Sequence, residues 1–376
     1  MQTISKQNTW ISEKEICLEI KLLLCCARIH IDDENIKAIK NLIQENIDWQ
    51  YLIQTAYSHG LMPLLYTNLN AICRNAIPEA TFNQLQSLFY TNTQHNLFLS
   101  AELVKILRLL KENGISALPY KGPILASSLY GNLALRQFGD LDIVVQQSDI
   151  LKVKKVLIAH GYKPKVEFTE AEEIAYLRSK SEHTYDFIDE RRGILIEVHW
   201  RITPRYTSPI EPKHFWQKLE PFSFAGTTVS NLPLEDWLLI LCVHGSRHRW
   251  EKLSWPCDIA QLIKVNPEIN WERVIQQANE FDCKRMLFLG LFLAHNLIGV
   301  TLPAEVLQQI KADSEVAYLA SEICQELLSG ADAPQRFMAK TVYHIRVKER
   351  WQNKVLYFES FLRWLVKPKK ELDGHK

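Results

Sequence analysis

Apolar residues along the first third of the chain recur at helical spacing. Ile16, Ile20, Leu23 and Leu24 mark one stripe, which Cys17 joins. Asp32-Asp33-Glu34-Asn35 opens the next helix with the acidic residues that a helix N-terminus favours. Trp49 to Leu69 reads as an amphipathic stretch broken near Gly60 and Pro63, and Thr91 to Glu112 as another, stopped by Asn113-Gly114. The period then changes. Ile115 to Leu118 is a short strand, Gly122-Pro123 a turn into a helix, and Leu141 to Val145 a β-branched strand. Leu151 to His160 is helical up to Gly161. His183 to Ile188 and Ile194 to Trp200 form two strands joined through Asp189-Glu190-Arg191-Arg192-Gly193, a hairpin. Helical spacing returns over Leu234–His248, Trp255–Lys264, Trp271–Asn279, Cys283–Ile298, Ala304–Leu328 and Pro334–Leu365. The expectation is an α+β chain in three parts: an N-terminal helical region (1–112), a core (113–231) and a C-terminal helical domain (232–376).

A length of 376 residues exceeds one typical domain, and 47% hydrophobic with 23% charged residues is ordinary for a soluble globular protein. The net charge of +1 removes any general electrostatic argument for nucleic acid or an anionic membrane, so nucleic acid remains open only through local basic clusters. The N-terminus lacks a basic segment followed by an apolar core, so a secretory signal is not expected. The longest apolar run, Met286 to Val300, holds His295 and Asn296 and is too short for a transmembrane segment. The eight cysteines show no CxxC, and several lie in apolar stretches where Cys acts as a small hydrophobe. A reduced, cytoplasmic protein is expected.

The chemistry concentrates in the middle of the chain. Asp140 and Asp142 project from one face of a strand and lead into Ile143-Val144-Val145, a buried type of strand. Two carboxylates there are costly unless they are paired or bind metal. Within Ile194 to Trp200, Leu195, Glu197 and His199 share a face; Glu197 needs a metal, or a salt bridge to Arg136 or Arg201. Three carboxylates make a hard oxygen set that suits Mg²⁺, and two metals so held can clamp both oxygens of a phosphoryl or nucleotidyl transfer. Upstream, Gly122 removes a Cβ at the turn, Pro123 suits the first helical position, and free N–H groups at the helix start favour phosphate. Lys121 adds a mobile charge, although an ordinary strand-to-helix turn would look the same. His199 can orient a carboxylate, touch substrate or make a structural hydrogen bond.

His244 and His248 share a helix face, but no third metal ligand is evident. The readings are a packed polar network with Asp258, or a cleft mouth where Arg247, His248 or Arg249 contacts nucleotide or acceptor. Trp250 and Trp255 read as core. From Arg346 to Lys370, basic residues (Arg346, Lys348, Arg350, Lys354, Arg363, Lys367, Lys369, Lys370) mix with Trp351, Tyr357, Phe358, Phe361, Trp364 and Leu365. Such a helix packs its aromatics on the domain, or lies on a membrane surface or an acidic partner.

Taken together, these motifs resemble the nucleotidyltransferase superfamily of the DNA polymerase β type. More closely, they resemble its uncharacterised bacterial family of the NTP_transf_5 type. The residues that carry the likeness are Tyr120-Lys121-Gly122, Leu129-Tyr130-Gly131, Leu135-Arg136, Gly139-Asp140-Leu141-Asp142 and Ile196-Glu197-Val198-His199-Trp200. Leu234-Glu235-Asp236, Val243 to Trp250, Trp255 with Asp258, and the leader segments Asp48-Trp49 and His59 to Leu65 extend it over about residues 45 to 265. The resemblance implies a polymerase β-like core with a small mixed sheet flanked by helices. It implies two Mg²⁺ ions, both on Asp140 and Asp142 and one also on Glu197, with Lys121, Gly122, Arg136 and His199 contacting the nucleotide. His244, Arg247 and His248 line the substrate side. An NTP would give its NMP to an acceptor (small molecule, saccharide or protein) and release pyrophosphate. One departure stands out: where the superfamily prefers Gly-Ser or Gly-Gly, Pro123 offers neither N–H nor hydroxyl. A catalytically inactive binding or scaffold relative is therefore the alternative.

Overall fold

Among the described residues, four short α-helices and one long one lead into the sheet. The computed structural model describes residues 16–328 and 337–366. Helices α1 (Leu18–Cys26), α2 (Asp33–Leu42), α3 (Trp49–Ser58) and α4 (Met62–Cys73) precede α5 (Glu79–Glu112). Asp32 and Asp48 accept from the amides of Asn35 and Tyr51, capping α2 and α3. Helix α5 starts at Glu79 rather than Thr91. Its first turns scatter Asn, Gln and Ser among the apolar residues, which hides the stripe that buries Phe82 and Leu85.

The core follows as β1 (Ala117–Tyr120), α6 (Gly122–Tyr130), β2 (Asp140–Val145), α7 (Ile150–Ala159), β3 (Lys163–Pro164), α8 (Glu170–Arg178), β4 (Thr184–Asp189) and β5 (Ile194–His199). Strand β1 begins two residues later than the pattern predicts, because the Ile115 amide turns back to Leu110 O and closes α5. The sheet order is β1-β2-β5-β4-β3; β2 and β5 are parallel and the other pairs antiparallel. The mixed sheet and α+β class agree with expectation. Helix α8 gave no apolar stripe to read, since it buries no residue and is fixed by a Thr169–Glu172 capping box. A second hairpin, β6 (Glu220–Phe224) with β7 (Thr227–Asn231), turns at Ala225 and Gly226, both at positive φ.

The remaining α-helices of the described residues are α9 (Leu234–Arg247), α10 (Ser254–Val265), α11 (Trp271–Glu280), α12 (Lys284–Leu293, continued by a π turn over Ala294–Ile298), α13 (Ala304–Ala312), α14 (Ser314–Leu328), α15 (Phe337–Arg346) and α16 (Trp351–Val366). The stretch from 304 to 328 splits at Asp313, whose carboxylate accepts from Glu315 N. Among the described residues no helix is long and apolar enough to cross a membrane.

Two hydrophobic cores organise these elements. In one, Leu141, Ile143 and Val145 of β2 and Ile194, Ile196 and Val198 of β5 pack on Leu99, Leu103, Ile106 and Leu110 of α5 and on Val153 and Leu157 of α7. The other runs through α1–α4 and α9–α14, so helices from the two ends of the chain share one interior. Alternation along the strands leaves the opposite sheet face, with its acidic residues, turned toward that helical body.

Candidate active site

Strands β2 and β5 pair so that Asp142 lies opposite Glu197 and Val144 opposite His199. Strand β4 brings Asp186 opposite Glu197 and Thr184 opposite His199, and β1 brings Tyr120 opposite Asp142. Paired residues share a face, so Tyr120, Asp142, Glu197 and Asp186 form one row across four strands. Asp140 stands two residues to one side of it and His199 two residues to the other. Asp186 is the member that sequence reasoning missed, although it interrupts an apolar alternation (Tyr185, Phe187) just as Glu197 does.

His199 Nε2 lies 2.8 Å from Asp142 Oδ1 and 3.4 Å from Glu197 Oε2. The ligand atoms of these three residues fall within 4.8 Å of one another, a set that could hold a metal. Lys121 Nζ is 3.4 Å from Asp142 Oδ1. Burial opposes charge on Asp142, but Lys121 and His199 outweigh it and hold the carboxyl below its usual range. Burial likewise opposes charge on His199, and its hydrogen bonds to Asp142 and Glu197 raise its pKa nonetheless. Asp140 is pushed up to about 6, by burial first and then by Asp142 and Glu197. Asp186 is raised by burial and by Glu197, and its Oδ1 has no hydrogen-bond partner among the described residues. Negative charge on this face exceeds what Lys121 and His199 balance, and its oxygen donors are those a hard divalent cation takes.

The turn after β1 is strained: Lys121 has φ 51° and Gly122 φ 37°. A side chain at Gly122 would be held in a left-handed backbone, with its Cβ 3.4 Å from Asp140 O. The amides of Ile124 and Leu125 both return to Lys121 O, and Pro123 has none. Neither Pro123 nor the Ile124 and Leu125 amides are thus left for an anion, which the Lys121 ammonium can still meet.

The row forms the floor of a cleft of about 1380 Å³, whose walls come from α5, α9, α10, α15 and α16. Arg136 reaches it, but its guanidinium forks onto Asp258 (Nε to Oδ1 3.0 Å, Nη2 to Oδ2 2.9 Å), and Tyr130 donates to the same carboxylate at 2.7 Å. Glu197 thus pairs with neither Arg136 nor Arg201, which donates to Ser179 O and Glu182 O. Asp258 serves Arg136 and Tyr130, so His244 and His248 pack instead against Trp255, with ring centroids 5.3 and 5.6 Å away. Trp255 is therefore a cleft residue, whereas Trp250 is fully buried. Arg249 turns away to Glu326 at 2.6 Å, while Arg247 stays in the cleft wall and donates to His183 Nε2 at 2.7 Å. His183, Tyr206 and His344 also line the cleft, and nothing in their sequence surroundings signals it.

Helix α16 turns Tyr357, Ser360 and Phe361 into the cleft and leaves Trp351, Val355, Phe358 and Leu362 exposed. The side chains of Arg363, Trp364 and Leu365, and all of Lys367, Lys369 and Lys370, lie outside the described residues.

No curated protein matches the chain. The solution structure of the antibiotic-resistance factor ANT(2'')-Ia is similar over 60% of this chain and 96% of that one, at 12% identity and a TM-score of 0.29. So distant a likeness has no bearing on the site. Residues 45–299, which include the turn, the carboxylate row and the α9–α10 wall, match the uncharacterised nucleotidyltransferase family (NTP_transf_5), and the chain belongs to that family.

Proposed function

We propose that this chain transfers an NMP from an NTP to an acceptor and releases pyrophosphate, using two Mg²⁺ ions on Asp140, Asp142 and Glu197. The observation that carries this reading is the row of carboxylates on one sheet face at the floor of a large cleft, short of compensating positive charge. Bound there, Mg²⁺ would supply charge neutralisation for the phosphates and for the oxygens entering and leaving. His199 fixes the Asp142 and Glu197 oxygens through its single Nε2. Lys121 and Gly122 meet the triphosphate, Lys121 with a point charge and Gly122 by keeping the turn bare. Arg136 holds the nucleotide side of the cleft in position through Asp258. His244, Arg247 and His248 line the acceptor wall. On this reading residues 113–231 carry the chemistry, and the helical regions 1–112 and 232–376 supply the walls. A reduced, cytoplasmic setting fits eight unpaired cysteines.

Transfer of label from α-³²P NTPs to a metabolite pool tests it. The double substitution Asp140→Ala/Asp142→Ala is expected to lower transfer by ~10³-fold or more. Transfer that survives the double substitution would refute the carboxylate assignment. Calorimetry with Mg²⁺ and each NTP adds a second check: a native chain that binds no nucleotide is the inactive, scaffold type.

A further inference from the structure

We infer that the acceptor is an oxyanion, a molecule bearing phosphate or carboxylate, seated against the guanidinium of Arg247. The word acceptor rests on the nucleotidyl-transfer reading above; the anion site itself rests on Arg247 and its surroundings.

Three other arginines with little exposure are each matched by an acid (Arg136 by Asp258, Arg249 by Glu326, Arg285 by Asp313), and a fourth, Arg201, is held by the carbonyl oxygens of Ser179 and Glu182. Arg247, half-buried at the end of α9, has no carboxylate within 4.0 Å among the described residues. Its bonded partner is the imidazole of His183, 2.7 Å from Nη1. Burial, with Arg247 itself adding to it, holds His183 far below its usual range, so the ring is neutral. Its Nε2 lone pair accepts from the guanidinium, which leaves the ring proton on Nδ1. The imidazole therefore orients Arg247 without cancelling its charge. Burial draws the Arg247 pKa down, and the more distant Glu197 and Asp142 carboxylates offset only part of that, so an anion bound in direct contact lowers the remaining cost. The planar fork of an arginine suits the two oxygens of a phosphate or carboxylate.

Position separates this cation from the triphosphate turn. The His183 ring lies 5.8 Å from that of His199, at the β4–β5 end of the carboxylate row. Lys121 comes from the turn after β1 and meets His199 on one oxygen, Asp142 Oδ1, at 3.4 Å to the 2.8 Å of His199, so His199 and His183 stand between its ammonium and Arg247. A triphosphate on Lys121 leaves the Arg247 end for the second reactant. The wall also holds Glu182, next to His183, and Glu251, while burial keeps His244 and His248 neutral and pushes His248 down to about 3. Lys252 also lines the cleft, as does Lys340, which pairs with Glu251 at 3.5 Å.

The test titrates orthophosphate and, separately, acetate into the chain saturated with Mg²⁺ and a non-hydrolysable NTP analogue. Native protein, Arg247→Gln and Arg247→Lys are compared by calorimetry. Orthophosphate or acetate is expected to bind the native chain, ~10-fold or more weaker to Arg247→Gln, with partial recovery in Arg247→Lys. Affinity for the analogue is expected to change by less than ~3-fold, since Arg247 is not a triphosphate contact. The tighter of the two probes distinguishes a phosphate from a carboxylate acceptor. Anion affinity unchanged by Arg247→Gln, or no anion binding by the native chain, overturns the inference. A loss of analogue binding in Arg247→Gln, with the thermal midpoint preserved, would assign Arg247 to the triphosphate and also overturn it. A native chain that binds no analogue defeats the nucleotidyl-transfer reading alone, because the anion titration without nucleotide still decides for or against Arg247.

Discussion

The two sides of the cleft are built by different means. On the sheet side, β1, β2, β5 and β4 place Tyr120, Asp142, Glu197 and Asp186 in one row by backbone register alone. On the helical side, His95, His244, Arg247, Trp255, His344 and Phe361 come from α5, α9, α10, α15 and α16, and only side-chain packing brings them together. The first side gathers negative charge, whereas on the second burial keeps His244 and His344 neutral beside the Arg247 cation. The side proposed to carry the chemistry is thus fixed by local geometry, whereas the side proposed to select the acceptor depends on tertiary packing.

The seam between them is where the comparison is easiest to break. Arg136 follows α6 in the core, and Asp258 lies fully buried on α10. Removing one member of a buried ion pair strands the other, so Arg136→Ala is expected to cost ~3–5 kcal/mol of folding free energy, read by denaturant titration. Arg136→Lys should recover only part, because an ammonium cannot reproduce the fork. A loss below ~1 kcal/mol would mean that the two sides are held together by their shared apolar contacts instead.

A milder perturbation acts on the helical side alone. The Trp250 indole lies between Gly245 and Gly290, and a Cβ at Gly245 would sit 2.4 Å from Trp250 Cζ3. Trp250 cannot easily yield, since its own backbone is at φ 57° and its side chain is fully buried. Gly245→Ala is expected to destabilise the chain by ~1–3 kcal/mol. It should also weaken orthophosphate binding more than binding of the Mg²⁺–analogue complex, because Arg247 lies two residues away on the same helix. Equal weakening of both would show that the two sides respond as one.

What could be read from the sequence follows the same division. Asp140, Asp142 and Glu197 stand out because a period of two makes a charged residue in an apolar strand conspicuous. Asp186, between Tyr185 and Phe187, carries that same signal. The sheet's class was legible, yet the start of α5 was not, because Asn and Gln blur its stripe, and α8 buries nothing that a pattern could reveal. Asp258 joins Arg136 and Tyr130 rather than the histidines nearer to it in sequence, because tertiary packing and not chain spacing sets its partners. The His183–Arg247 bond joins residues 64 positions apart and has no local signature.

The smallest effect, and the one confined to the sheet side, is a dependence on pH. Asp140 titrates near pH 6 in the folded chain, above its ordinary range. Between about pH 4 and that value the native state binds more protons than the unfolded one, so metal-free stability falls as pH rises through this window. Metal binding has the opposite sign, because a ligand must be charged to coordinate. Mg²⁺ affinity is therefore expected to rise with pH, by up to ~10-fold per unit below about 6, and then to flatten unless a second proton leaves. The second candidate is His199, whose proton the Asp142 and Glu197 oxygens retain to higher pH. A slope that persists above the Asp140 range belongs to that imidazole, and His199→Gln should remove it while leaving the lower limb intact. Asp140→Asn removes a proposed ligand, so Mg²⁺ affinity should fall at every pH and the limb below about 6 should disappear. An affinity that does not vary between about pH 5 and 8 would break both assignments, because neither proton would then stand between the carboxylate row and its cation.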